Sequence, residues 1–157
     1  MSTLHDTADA VKAQINAATG LSVEFTTTLQ YDTDLLLEDL DTLDVGVVPA
    51  SLTMEKDSRI SFAYNAGIDI AVRYRFGTAD QNDDGTIKLT SIETYSQLLE
   101  EIAEELGKPA NLALTDKATA TWLRNEIRFP WVPEHLRQNR QFTGIFRATY
   151  YVAKDAS

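Results

Sequence analysis

Residues 80–87 read Asp80, Gln81, Asn82, Asp83, Asp84, Gly85, Thr86 and Ile87. They come nearer to recognisable chemistry than any other stretch of the chain. Oxygen donors at alternate positions followed by glycine are how a calcium loop begins. Asp80, Asn82 and Asp84 fill its first, third and fifth positions. Gly85 takes the sharp turn at the sixth, and Ile87 is the apolar eighth. The match then stops. The twelfth position should hold a bidentate glutamate and is Ser91; Glu93 comes two residues late. That loss removes two oxygens and one charge, and Lys88 brings a positive charge to the same loop. Asp80, Asn82 and Asp84 are therefore a weak metal candidate, and the stretch reads first as an acidic loop.

Other chemistry finds less support. The two histidines, His5 and His135, have no second histidine near them, and the chain has no cysteine. Neither a zinc set nor a Cys/His nucleophile is suggested. There is no Gly-x-Ser-x-Gly elbow, no P-loop and no dinucleotide fingerprint. Glu100, Glu101, Glu104 and Glu105 lie on the polar side of an amphipathic helix and read as a solvated face rather than an acid pair. The expectation is a protein that is not an enzyme and carries no cofactor. Arg124, Arg128, Arg137 and Arg140 flank Trp131, with Trp122 close by. Arginine and tryptophan together are hot-spot types at interfaces. The alternative is two core tryptophans with simply exposed arginines, and the residues do not choose between the two.

The elements that must position these residues follow from periodicity. Ile68, Ile70, Val72, Tyr74 and Phe76 alternate with Asp69, Ala71, Arg73 and Arg75, which predicts a strand with one wet face. Ile92, Tyr95, Leu98, Leu99, Ile102 and Leu106 fall on one stripe of a helix over 91–106. Thr90 and Glu93 suggest a capping box at its start, and Gly107 and Pro109 close it. Earlier, a helix over 4–19 is capped by Ser2 or Thr3 and closed by Gly20, and a strand covers 21–31. Residues 35–40 could make one or two helical turns. A short strand over 43–49 ends at Pro49, a loop follows over 50–57, and 59–64 turns through 65–67 into 68–76. Residues 111–118 read as a connection, 119–129 as a strand, 134–139 as a helical turn, and 141–153 as the best-patterned strand of all. The fold class is α+β: a mostly antiparallel or mixed sheet of five to six strands, with two helices on one face. A barrel-like arrangement is the lesser alternative. One domain over 1–157 suits this length.

The formal charge is −10, which argues against a nucleic-acid surface. No apolar run reaches membrane-spanning length, and the first residues lack signal-peptide features. Charge is uneven. Residues 1–116 hold 21 acids and 7 bases, and 117–157 hold 3 acids and 7 bases, giving −14 and +4. This is either ordinary solvated surface or a self-association device, in which the basic part of one copy meets the acidic part of the next and the contact closes into a ring. Asp80, Asp83 and Asp84 on one side, and Arg124, Arg128, Arg137 and Arg140 on the other, are the interface candidates.

The whole pattern resembles the tail terminator proteins of long-tailed bacteriophages, also called minor tail or tail completion proteins. The matching features are an N-terminal helix and strand, then Val45, Gly46, Val47, Val48 and Pro49. Arg59 leads into Ile68-x-Ile70-x-Val72, and the Leu98, Leu99, Ile102 helix follows. The end matches too: a strand, a proline-rich kink, Leu136, and Phe142-x-Gly144-x-Phe146-x-Ala148-x-Tyr150. The acidic loop has no counterpart in that pattern. The resemblance implies a virion structural protein that forms a homohexameric ring on the head-proximal end of the tail tube, ends tube polymerisation and offers the head–tail joining surface. The implied partners are further copies of itself, the tail tube protein and the head–tail connector or stopper. Genomic DNA would pass through the channel without sequence-specific binding, and no membrane is involved. The alternatives are another neck component or, outside that class, a small calcium-binding module.

Overall fold

Two strands of fifteen residues form the centre of the sheet because their alternation is the longest and cleanest in the chain. The computed structural model describes residues 2–31, 43–109, 111–115 and 118–155. In chain order its elements are α1 (Thr3–Ala17), β1 (Thr27–Leu29), β2 (Asp44–Lys56), β3 (Ser61–Arg75), α2 (Leu89–Gly107), β4 (Asn111–Ala113), β5 (Thr119–Phe129), α3 (Pro133–Asn139) and β6 (Gln141–Asp155). The six-stranded sheet has the order β1-β2-β3-β6-β5-β4. Only β1 and β2 run parallel. The remaining pairs are antiparallel, and β3 pairs with β6 along the whole length of both strands. The fold is α+β with a mixed sheet.

The register assigns the faces. Ile68, Ile70 and Val72 sit beside Val47, Val45, Phe146 and Ala148. They join one buried cluster with Ala8, Val11 and Ile15 of α1 and Leu98, Leu99, Ile102 and Leu106 of α2. Each of those leucine or isoleucine side chains stabilises the fold by about 1.5–3 kcal/mol on burial. The third helix, α3, was foreseen only as a turn. It caps the start of β6, where Val132 N–H donates to the Thr143 carbonyl at 2.9 Å and His135 Nδ1 lies 2.7 Å from Thr143 Oγ1. Gly144 permits close packing here: a Cβ would lie 2.9 Å from the Pro130 carbonyl oxygen and 3.1 Å from a Leu99 methyl.

Several expectations need correction. The wet face of β3 is not wet at its centre, because Ala71 and Arg73 are fully buried. Arg73 is tolerated there because Asp44 Oδ2 accepts from its guanidinium at 2.5 Å, and the Gln30 side chain also accepts from it. A buried charge needs such partners. The strand over 21–31 contracts to β1. Pro49 does not end β2: among the described residues the outer side of β2 has no partner strand beyond Val47, so a missing N–H there breaks no ladder bond, and the register slips between Pro49 and Ser51 to absorb the kink. Residues 50–57 are accordingly strand, not loop, up to Lys56.

Asn65, Ala66 and Gly67 are strand as well. The hairpin turn lies at 57–60, where Asp57 and Ser58 N–H both donate to the Ser61 carbonyl. Gly67 serves close approach rather than turning, because the Ser51 hydroxyl and the Arg147 stem press against it. The connection after α2 contains β4. Gly20 does have φ +83, but α1 ends at Ala17, so Gly20 shapes the loop instead of capping the helix. Ser2 is the N-cap, accepting from His5 N–H at 3.2 Å. At α2 the capping box does not form. Thr90 lies inside the helix, and the start is held by Asp80, whose carbonyl accepts from Lys88 N–H at 2.8 Å and whose Oδ1 accepts from Ser91 Oγ at 2.9 Å. The suggested helical turns over 35–40 fall outside the described residues.

Candidate interaction surfaces

The acidic loop is stapled to itself. Asp80 Oδ2 accepts from Gly77 N–H at 3.1 Å. Asp84 Oδ1 accepts from Thr86 Oγ1 at 2.6 Å and Thr86 N–H at 3.0 Å. The Thr86 hydroxyl, and then its amide, hold the Asp84 carboxyl below its ordinary value. Asn82 donates to Thr86 Oγ1 at 3.0 Å, and Gly85 turns the chain at φ +87. Both Asp80 carboxylate oxygens and Asp84 Oδ1 thus already accept from neighbouring hydroxyls and amides. Among the described residues, no three His, Cys, Asp or Glu side chains come together as a metal ion requires. Asp83 and Asp84 are exposed.

The loop is anchored at its root by aromatic packing. Tyr74 stacks on Tyr95 at 4.3 Å between centroids, with Phe76 and Phe142 around them. Burial, followed by the Tyr74 hydrogen bond, pushes the Tyr95 hydroxyl upward. One of the sequence-selected arginines does reach the loop, but within the same chain: Arg140 donates to Gln81 Oε1 at 3.2 Å. Arg140 itself adopts φ 49 at the end of α3. Arg124 and Arg128 lie on β5, and Arg137 on α3; all three are exposed. The four arginines therefore do not form one cluster with the acidic loop.

Between α2 and β5 runs an open groove of about 610 Å³ whose floor includes Ala103, Trp122 and Ile127, with Glu100 and Glu104 beside them. Trp122 is half-buried; its Nε1 donates to Asn125 Oδ1 at 3.1 Å, and Asn125 in turn donates to the Ala103 carbonyl at 2.6 Å. Trp131 is 42% exposed. Trp122 thus packs against the core, and Trp131 stands at the surface. The glutamates of α2 divide as well. Glu100 and Glu104 are exposed, whereas Glu101 accepts from Ser22 N–H at 2.9 Å and Glu105 pairs with Lys108 at 2.6 Å.

Sequence reasoning missed the most prominent surface. The outer ends of β2 and β3 form an arm, exposed over residues 51–60, that carries Leu52, Met54 and Ile60. A second apolar set, Leu123, Ile127, Phe129 and Trp131, is exposed on β5 and just after it. The signal for the arm was present: Ser51, Leu52, Thr53, Met54 and Glu55 alternate, but Pro49 masked it. No helix among the described residues is long and apolar enough to cross a membrane. No protein-family model matches this chain, and no curated protein matches it in sequence.

Proposed function

We propose that the chain is a non-catalytic virion structural protein: a ring-forming tail terminator at the head-proximal end of a phage tail tube. The single observation that carries an assembly role is the pair of exposed apolar strand surfaces on opposite flanks of the sheet, at Leu52 and Met54 and at Leu123, Ile127 and Phe129. Apolar surface concentrated in this way marks contact sites more than catalytic ones. The open groove beside α2 is edged by Glu100, Glu104, Lys108 and Arg124 around an apolar floor, and no histidine, serine or threonine lines it. The near full-length resemblance of the sequence pattern supports the terminator among assembly proteins. Self-copies, the tube protein and the connector are the partners, and an acidic subunit suits a channel through which DNA must slide without being gripped.

Deletion of the gene in its phage tests the reading. Overlong or headless tails are the expected result, and normal tails would sink it. Capsids that close but leak DNA, with tails of normal length, would favour a head-closure component instead.

A further inference from the structure

The sheet has two open edges, and they match. On β5, only residues 119–121 have an outer neighbour, β4. On β2, only Val45–Val47 pair with β1, and Gln30 N–H adds one bond to the Val47 carbonyl. Beyond these, no backbone among the described residues pairs with the outer side of β5 over 123–129 or of β2 over 49–56. Unpaired strand edges are templates for another strand.

We propose that the β2 edge of one copy adds to the β5 edge of the next, antiparallel, with Glu55 opposite Arg124 of the neighbouring copy. This deepens the ring-forming reading above and names its contact. Three observations carry it. The first is direction. β2 and β5 run oppositely within one chain, so a copy rotated about an axis along the strands presents β2 antiparallel to β5. The second is register. Side-chain faces allow only even shifts. Setting Glu55 against Arg124 places Thr53 opposite Glu126, and Leu52 opposite Ile127 on the face that bears the helices. It also sets Pro49 opposite Pro130, so the two prolines end the ladder together, while the hairpin turn meets β4 at its other end. A shift by two in one sense places Glu55 opposite Glu126, and in the other leaves no opposite-charge pair. Cross-strand charge and apolar pairs contribute about 0.2–1 kcal/mol each, and like charges oppose pairing.

The third observation is offset. Within one chain Glu126 is level with Val48, through Arg147 and Asp69. Pairing with Thr53 of the next copy requires a slide of five residues (53 − 48), roughly 17 Å at about 3.3 Å per residue. Spread over the four long strands, roughly 19 Å wide at about 4.8 Å spacing, that is a tilt of about 40°, within the ~35–45° at which sheets close. A two-fold contact between β5 edges centred on Glu126 would set it against itself and Arg124 against Arg128; one centred on Asn125 would set Arg124 against Glu126 and would stop at a dimer instead of a ladder.

The chain has no cysteine, so introduced pairs report cleanly. The full chain carrying both Glu55→Cys and Arg124→Cys, oxidised without denaturant, should give a ladder of covalent oligomers on a non-reducing gel. Either single variant should remain monomeric there, and Thr53→Cys with Arg124→Cys should crosslink at least tenfold less. Glu55→Arg should shift the unoxidised protein to monomer mass, and Glu55→Arg with Arg124→Glu should restore the oligomer. Efficient crosslinking of one single variant would overturn the proposal in favour of a two-fold contact. No ladder from the double variant, whether the protein is monomeric or oligomeric by mass, would also overturn it. A ladder alongside normal tails in the gene deletion would leave the edge contact standing and remove the terminator reading. Overlong tails with no ladder would do the reverse.

Discussion

The middle of the sheet and its flanks obey different physics. β3 and β6 pair over their full length, and both faces are covered near Ala71 and Arg73. Their polar side chains are spent internally: Asp69 receives two bonds from Arg147, at 2.7 and 3.1 Å, which hold that guanidinium above its ordinary value. Among the described residues, β2 and β5 are capped by strands of only three residues and otherwise leave backbone and apolar side chains exposed. Changes in the middle should therefore alter folding, and changes at the flanks should alter association. The acidic loop, which looked most like a site, resembles the middle in this respect because Asp80 and Asp84 accept from donors of the same segment.

The sharpest break of that contrast is at the arm. Leu52→Asp combined with Met54→Asp should abolish oligomers in sedimentation while changing unfolding free energy by less than about 0.5 kcal/mol, as surface substitutions do. Equal loss of stability would show the arm to be part of the core. In the opposite direction, Asp44→Ala should cost about 3 kcal/mol in chemical denaturation by removing a carboxylate partner of the buried Arg73 charge, with assembly retained in the folded fraction. A cost near zero would mean that Gln30 and the remaining surroundings suffice.

Tyr150 gives a smaller effect. Its hydroxyl is buried with no hydrogen-bond partner among the described residues, and burial raises its ionisation above the ordinary 10.0. The unfolded chain ionises first, so this group's contribution is intact below about pH 10 and declines as pH rises beyond it. Tyr150→Phe should be neutral or stabilising by about 1 kcal/mol, since it removes an unsatisfied buried hydroxyl. It should also flatten the alkaline limb of the stability profile; an unchanged limb would place the sensitive group elsewhere. Smallest of all, Asp83→Lys with Asp84→Lys should change the association constant less than about twofold. Complete loss of rings would instead make the loop, and not the strand edges, the contact between copies.

Much of the core was readable in advance. Val72 and Leu99 declared their environments through periods of two and 3.6, because burial of one face leaves a local imprint in the chain. The errors have a common cause. Pro49, Gly67 and Thr90 carry local meanings (stop, turn and cap) that tertiary neighbours replaced. Pro49 is harmless on an unpaired edge, Gly67 makes room for Arg147, and Asp80 took over the start of α2 from Thr90. Arg73 was read as exposed because nothing in the strand itself reveals Asp44, whose partnership depends on β2 lying alongside.

Alternation, helical stripes, charge and the missing cysteines belong to the sequence alone, since each is a property of neighbours along the chain. They determined an α+β protein with well-patterned strands at 68–76 and 141–153, and the weakness of the calcium loop. Which strands lie at the sheet's edges, how far β1 and β4 cover them, and that Glu55 and Arg124 occupy opposite open flanks were decided only by the tertiary structure. Strand order is set by long-range hydrogen bonding, and a free edge is defined by the neighbour it lacks.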